Sequence, residues 1–327
     1  MNVLVVGGAG YIGSAVTVAL LEAGHKPVVF DNFSSGHPQA IPKGAELIPG
    51  DLADSEALDG ACRAAAFDAV MHFAAFIEAG ESMRAPERFF RNNTANSLRL
   101  LEAMLEHGIK QLVFSSTAAL YGNPVRTPIE ETDALEPTNA YGESKMLVER
   151  MLVWFHQIHG LRYASLRYFN AAGAVSPDLG EDHQPESHLI PLMLGVALGK
   201  RESIRINGTD YPTPDGTCIR DYIHVADLAS AHVLALEALP ERGKMIYNVG
   251  NGRGFSVREV VETARRVTGH PIPAEGGPRR TGDPSVLVAS SEKIRRELGW
   301  QPKYPSLEQI IGSAWEWHRW RPRGFES

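Results

Sequence analysis

The chain has 327 residues, 43% hydrophobic and 22% charged, a globular balance that suits one large α/β unit or two lobes. Its net charge of −7 offers no basic field to a nucleic-acid backbone or an anionic membrane, so any phosphate has to be held by local devices. Two cysteines, Cys62 and Cys218, lie outside any C-x-x-C pair and suggest neither a disulfide framework nor a zinc ribbon; no apolar run reaches membrane-spanning length. The first residues, MNVLVVGGAG, lack a positive n-region, and the expectation is a cytoplasmic protein.

Short β-branched runs alternate with helical stretches through the first half. Strands are predicted at 2–7, 27–31, 45–51, 69–75, 111–116 and 163–170, and helices at 11–23, 85–107 (broken near Pro86) and 141–159. This alternation predicts an α/β fold with a doubly wound parallel sheet covered on both faces. After about residue 170 the rhythm breaks. Segments 173–187 and 207–217 are rich in Pro, Gly and Asp and read as long loops, whose length marks them as functional candidates. Helices recur at 189–199, 225–238, 256–268, 290–298 and 306–318. The expected division is a cofactor-binding domain over 1–170 and a smaller C-terminal α/β lobe over 171–327, mainly for substrate, with some strands and helices returning to the first domain.

VVGGAGYIG closes the first predicted strand and opens the first helix. Gly7, Gly10 and Gly13 permit a tight turn, close approach of backbone to a pyrophosphate, and close helix–strand packing, a Rossmann-type arrangement. The helix N-terminus adds N–H donors and a positive dipole end. Asp31 ends the second strand, where a carboxylate accepts hydrogen bonds from both hydroxyls of an adenosine ribose and repels a 2′-phosphate. Asn32 and Phe33 follow it with no arginine, which favours NAD over NADP. Asp51 has two readings, a contact near the adenine or the N-cap of a helix starting near Ser55.

FSSTAALYG (114–122) carries Ser115, Ser116 and Thr117 at the carboxyl end of another strand, where ligands bind in such sheets. AYGESK (140–145) places Tyr141 and Lys145 one helical turn apart, on one face. A cation beside a phenol favours the phenolate, as does an oxidised nicotinamide. The expectation is a base that takes a hydroxyl proton while the neighbouring C–H leaves as hydride, assisted by Thr117.

The order GGAGYIG, DN, HFAA, SST, YGESK resembles the extended short-chain dehydrogenase/reductases. LRYFNAAGA, DYPTPDGTCIRDYIHVADLA, YNVGNG and PRRTGDP narrow the resemblance to the UDP-galactose (UDP-glucose) 4-epimerase family, over residues 1 to about 320. The resemblance implies NAD-dependent C4 epimerisation of a UDP-hexose through a 4-keto sugar, in a homodimer. It implies that Gly7, Gly10, Tyr11, Ile12, Gly13, Asp31, Asn32, Asp51, Leu52, Phe73, Ala74, Ala75, Asn92, Ser115, Tyr141, Lys145 and Tyr168 hold NAD. Thr117 falls where a Ser or Thr assists the catalytic tyrosine. Asn170, His188, Leu189, Asn207, Arg220, Tyr222, Val257 and Arg280, with Asp283 near the nucleotide, fall where the family holds the UDP-sugar. Arginines suit a diphosphate by charge and forked donors, although Arg220 also reads as a structural partner of Asp221 or another loop carboxylate.

The chain departs from the family pattern in four places. Val6 stands for the usual Thr, Phe76-Ile77-Glu78 where some members have a lysine near the nicotinamide ribose, and His188 where some have Asn. Leu287 occupies a position where a bulky Tyr excludes N-acetyl sugars, so N-acetylated substrates stay open. Three other readings are kept: a 4-epimerase for another nucleotide sugar, a 4,6-dehydratase, and a non-catalytic NAD-sensing scaffold. The dehydratase lacks support because Ala118 and Ala119 follow Thr117, where an acid/base pair is needed. No metal site is expected, since the pairs His156/His159 and His224/His232 lack a third ligand. Trp315, Trp317 and Trp320 read as packing.

Overall fold

The computed structural model describes residues 1–280 and 282–326. Its strands are β1 (Asn2–Val6), β2 (Lys26–Asp31), β3 (Glu46–Pro49), β4 (Ala69–His72), β5 (Gln111–Thr117), β6 (Arg162–Tyr168), β7 (Asn170–Ala172), β8 (Ile204–Asn207), β9 (Ile219–His224), β10 (Lys244–Val249), β11 (Gly254–Ser256), β12 (Ala274–Gly277) and β13 (Val286–Leu287). The first six coincide with the predicted runs, those at 45–51 and 69–75 being shortened. They join β10 in a seven-stranded, all-parallel sheet ordered β10-β6-β5-β4-β1-β2-β3. From β1 the chain moves outward to β2 and β3, then returns to β4 on the other side of β1. That reversal opens a crevice at the carboxyl ends of β1 and β4, where ligands of such sheets lie.

The helices of the first half are α1 (Tyr11–Glu22), α2 (Ser55–Arg63), α3 (Ala79–Ser82), α4 (Pro86–Phe89), α5 (Asn96–Glu106) and α6 (Ala140–His159). The helix predicted over 85–107 is three pieces: α4, a π-helical turn Phe90–Ala95, and α5. Pro86 starts α4 rather than breaking it, since the first turn of a helix has N–H groups to spare. In the second half lie α7 (Leu189–Ala197), α8 (Val225–Arg242), α9 (Val257–Thr268), α10 (Glu292–Leu298) and α11 (Leu307–Trp320). Ser256 and Ser306 begin α9 and α11 with reciprocal capping boxes to Glu259 and Gln309.

Both faces of the sheet are covered. Leu20 of α1 and Leu228 and Leu236 of α8 pack with Val3, Val5 and Tyr247 on one side; Leu58, Leu101 and Leu152 pack with Leu4 and Phe114 on the other. A third core, around Ile190, Leu194, Val260 and Ile310, supports the smaller C-terminal lobe. That lobe carries a mixed sheet of β11, β9, β13 and β7 and a parallel pair, β12 and β8. The sequence reading named no strand here, because each is only two to six residues long and flanked by irregular loops. Residues 225–249 rejoin the first sheet through α8 and β10. Among the described residues no helix is long and apolar enough to cross a membrane.

Candidate active site

β1 ends at Val6, and the chain turns through Gly7–Gly10 into α1. Gly7 has φ +79°, and a Cβ there would stand 2.4 Å from the Ala74 nitrogen; a Cβ on Gly13 would stand 2.2 Å from the Gly7 carbonyl oxygen. Packing alone explains those two. Gly10 differs: a Cβ there would meet only the Gly7 oxygen, at 3.5 Å, an ordinary contact. Its missing side chain serves the cleft above it. Gly10 is also the N-cap of α1, whose first turn has no side-chain cap and no carboxylate. Free N–H donors at a positive helix end fit the pyrophosphate of a dinucleotide.

Asp31 is buried at the end of β2. Its Oδ2 accepts from the Ala9 N–H (2.9 Å) and its Oδ1 from the Phe33 N–H (2.8 Å), which ties the glycine turn to β2. Each oxygen keeps a lone pair for a ribose hydroxyl. Burial raises its pKa despite those two bonds. Asp51 accepts from Asn32 Nδ2 and from the Ala53 N–H, both at 2.7 Å, whereas Asp54 caps α2. The N-cap reading of Asp51 is therefore corrected. Leu52, Phe73, Ala74, Ala75 and Asn92 line one narrow cavity with Asp31, Asn32 and Asp51.

That cavity shares Gly7, Gly10, Phe73 and Ala75 with a larger one of about 340 Å³, a size usual for small-molecule sites. Tyr11, Ile12, Gly13, Ser115, Thr117, Tyr141, Lys145 and Tyr168 line the larger one. Asn139 starts α6 by accepting from the Gly142 N–H (2.8 Å). A Cβ on Gly142 would stand 2.6 Å from the Ala119 oxygen, so only glycine lets α6 approach the turn after Thr117 this closely. Thr117 Oγ1 accepts from the Ala119 N–H (3.1 Å), which leaves its own proton for the Tyr141 phenol.

Burial raises the Tyr141 pKa above its ordinary value; the Thr117 hydrogen bond opposes the rise and the Glu78 carboxylate adds to it. The predicted lowering by Lys145 is thus absent in the protein alone. Burial depresses the Lys145 pKa to about 7. Its Nζ donates to the Ser115 carbonyl (2.9 Å) and lies 4.9 Å from the Phe114 ring centroid. The Ser115 and Tyr168 hydroxyls are hydrogen-bonded to each other. The sequence reading missed Asn93 in the π-helical turn. This buried carboxamide accepts from the Phe76 N–H (2.8 Å) and donates to the Phe76 carbonyl and to Ser144 Oγ, both at 3.0 Å, pinning the cavity wall to α6. Its signal was a polar side chain on a helix face that packs inward.

A third cavity, of about 210 Å³, shares Thr117, Tyr168, Phe169 and Asn170 with the second. Arg220, Arg280, Asp283 and Leu287 form its far side. Arg220 Nη2 donates to Asp283 Oδ1 (2.5 Å) and to the Pro284 carbonyl (2.7 Å), and Nη1 to the Ile219 carbonyl (2.8 Å). Its carboxylate partner is Asp283, because Asp221 is turned away onto the N–H groups of Asn251, Gly252 and Ala289. Asn170 Nδ2 donates to the Asp221 carbonyl (3.0 Å).

The profile of the NAD dependent epimerase/dehydratase family matches residues 3–250. The chain belongs to that family. It is 53% identical to a UDP-glucose 4-epimerase of Halalkalibacterium halodurans, over 100% of this chain and 98% of that one. Among solved structures it is similar to a UDP-glucose 4-epimerase of Bifidobacterium longum in complex with NAD+ and UDP (36% identity, TM-score 0.96, 99% of this chain and 100% of that one). It is also similar to a UDP-Glc/GlcNAc 4-epimerase of Campylobacter jejuni (42% identity, TM-score 0.85, 97% and 99%).

In this family member the remaining predicted substrate residues fall in three places. His188, Leu189 and Tyr222 line the cavity of Tyr141. Asn207 lines a separate groove that has only Leu189 in common with it. Val257 begins α9 and packs against the third core. Three of the four histidines expected to be structural have local backbone partners: His224 Nδ1 accepts from the Ala226 N–H (3.1 Å), His232 Nδ1 faces the Leu228 carbonyl (2.9 Å), and His156 Nδ1 the Leu161 carbonyl (2.8 Å); His159 packs on the Phe155 ring. Trp317 is buried against Phe325, and Trp320 is exposed.

Proposed function

We propose that the chain interconverts UDP-galactose and UDP-glucose by inverting the sugar at C4, with NAD held in the cleft of the glycine turn. Thr117 carries this reading: it lies where the cavity over Gly10 meets the cavity of Arg220 and Arg280. A hexose spanning that junction has its C4 beside Tyr141 while its diphosphate reaches the two guanidinium groups.

NAD, held over Gly10 and Asp31, would supply a reversible hydride acceptor for C4, so that the reaction passes through a 4-keto sugar whose opposite face is then reduced. Tyr141 takes the 4-hydroxyl proton and gives it back. Thr117, whose acceptor position is filled by the Ala119 N–H, donates to the phenolate oxygen. Lys145 keeps a positive charge close to the phenol once cofactor phosphates and ribose surround it. Asn170, His188, Arg220, Arg280 and the uncapped N–H of Leu189 at the start of α7 hold the UDP end. Asp283 is exchanged for phosphate oxygens on Arg220, and Tyr222 closes the wall. Asn207 and Val257 support the lobe at its margin. In this reading residues 1–170, with 225–249, form the NAD domain, and the rest of 171–327 mainly the UDP-sugar lobe.

A second reading, epimerisation of UDP-N-acetylhexosamines as well, is favoured by the half-buried Leu287 in the Arg220 cavity, which leaves room that a larger ring would fill. A homodimer is proposed through α5 and α6, where Leu98, Trp154 and Ile158 are exposed; light scattering measures its mass. A cytoplasmic setting fits two buried, unpaired thiols.

The test is UDP-galactose deuterated at C4. The reading predicts UDP-glucose that keeps deuterium at C4, since the hydride never meets solvent. Loss of the label to water would overturn it.

A further inference from the structure

Segment 181–188, expected from sequence to be loop ending at the substrate residue His188, gathers Glu181, His183, Glu186 and His188 at the edge of the cleft, beside Tyr11. One ligand atom from each lies within 4.8 Å of all the others. His183 Nδ1 is 3.3 Å from Glu181 Oε1 and 3.8 Å from Glu186 Oε2; His188 Nδ1 is 2.8 Å from Glu181 Oε1 and 3.3 Å from Glu186 Oε1. A tetrahedral ion bound at about 2.0–2.2 Å requires ligand atoms about 3.3–3.6 Å apart, a spacing that the histidine–carboxylate distances of 2.8–3.8 Å bracket.

Both Nδ1 atoms are buried, yet neither has a hydrogen bond of acceptable direction. In ordinary ion pairs each N–H would aim along a carboxylate lone pair. Here the two nitrogens lie 2.8–3.8 Å from carboxylate oxygens without that alignment. The segment is also anchored from behind, where Trp317 Nε1 donates to the Glu181 carbonyl (3.1 Å).

We propose that Glu181, His183, Glu186 and His188 bind one divalent transition-metal ion of the zinc type, in a closed N₂O₂ site that ties this segment to itself at the edge of the cleft. On binding, the imidazoles give up any proton to solvent, and the two carboxylates supply the two negative charges that a divalent ion neutralises. Metal on the buried Nδ1 of His188 also fixes its tautomer, leaving Nε2–H on the ring edge that lines the cavity, as a donor to an anionic ligand. The site does not depend on which sugar nucleotide the cleft takes.

The experiment uses the purified NAD-loaded protein after chelator treatment, titrated with Zn²⁺ by calorimetry and with Co²⁺ by visible absorption. The expected result is one ion per chain, a tetrahedral Co²⁺ spectrum, and affinity lowered at least about tenfold in each of His183→Ala and Glu186→Gln. No stoichiometric binding, or binding equally tight in both variants, would overturn the proposal. If the variants fail to fold, the Co²⁺ spectrum of the unaltered protein decides, an octahedral spectrum counting against it.

Discussion

Two arginine–carboxylate pairs, each with a buried arginine, look alike in this molecule and differ in purpose. Behind β5, Arg167 donates to both oxygens of Glu149 (2.6 Å from Nη2 to Oε2, 3.0 Å from Nε to Oε1) and to the Tyr121 hydroxyl (2.9 Å). Ser116 Oγ donates to the same Glu149 (2.6 Å), and Tyr121 donates to Asn248 (2.7 Å). Every member has its partners, and the network ties α6 to β5, β6 and β10. Arg220 has one carboxylate oxygen and two carbonyls, and its partner Asp283 stands at an open cavity. A saturated buried pair is structural, because it has nothing left to offer a ligand. An incompletely satisfied pair facing a cavity is a site with an internal stand-in for its anion.

The largest effect expected is at Tyr141, the base of the proposed reaction. Tyr141→Phe is expected to lower turnover by about 10²–10⁴-fold while the NAD released on denaturation stays the same; initial rates and cofactor content check it. Next, Glu149→Gln leaves Arg167 charged and underpaired, and denaturant unfolding should give a loss of about 3–5 kcal/mol. Arg220→Met should do the reverse: small loss of stability, and a KM for the UDP-sugar raised by about 10–100-fold, the worth of a charge-assisted hydrogen bond. Equal stability losses in the last two variants would erase the distinction.

A smaller effect concerns pH. Folding depresses the Lys145 pKa to about 7 by burial, while the unfolded chain keeps that proton to about 10.4. Between those values the unfolded state holds more protons, so stability rises with pH, by up to about 1.4 kcal/mol per unit. Thermal unfolding of cofactor-stripped protein from pH 7 to 9 should follow this trend, and Lys145→Met should flatten it. The smallest change is Leu287→Tyr, expected to reduce turnover of the N-acetyl sugar and spare UDP-galactose.

The sheet half was legible in the sequence because parallel strands buried on both faces read as apolar runs and helices carry their own start signals. Gly10 and the Tyr141–Lys145 spacing were legible for a similar reason: local chain geometry places them. Asp51 was left with two readings because Asp54, three residues on, is an equally good cap. The β9–β13 region was not legible, its strands being too short to show a period. Nor were Asn93, the Asp283 partner of Arg220, or the 181–188 cluster, which depend on contacts between distant segments or on a loop folded back on itself. The raised pKa of Tyr141 in the protein alone was not legible either, because it comes from burial, which sequence does not reveal.

The central claim is tested most directly by giving UDP-galactose to freshly purified protein with no cofactor added. Formation of UDP-glucose is the predicted result, and it would establish both the reaction and a retained NAD. No conversion, even after NAD is supplied, would contradict it.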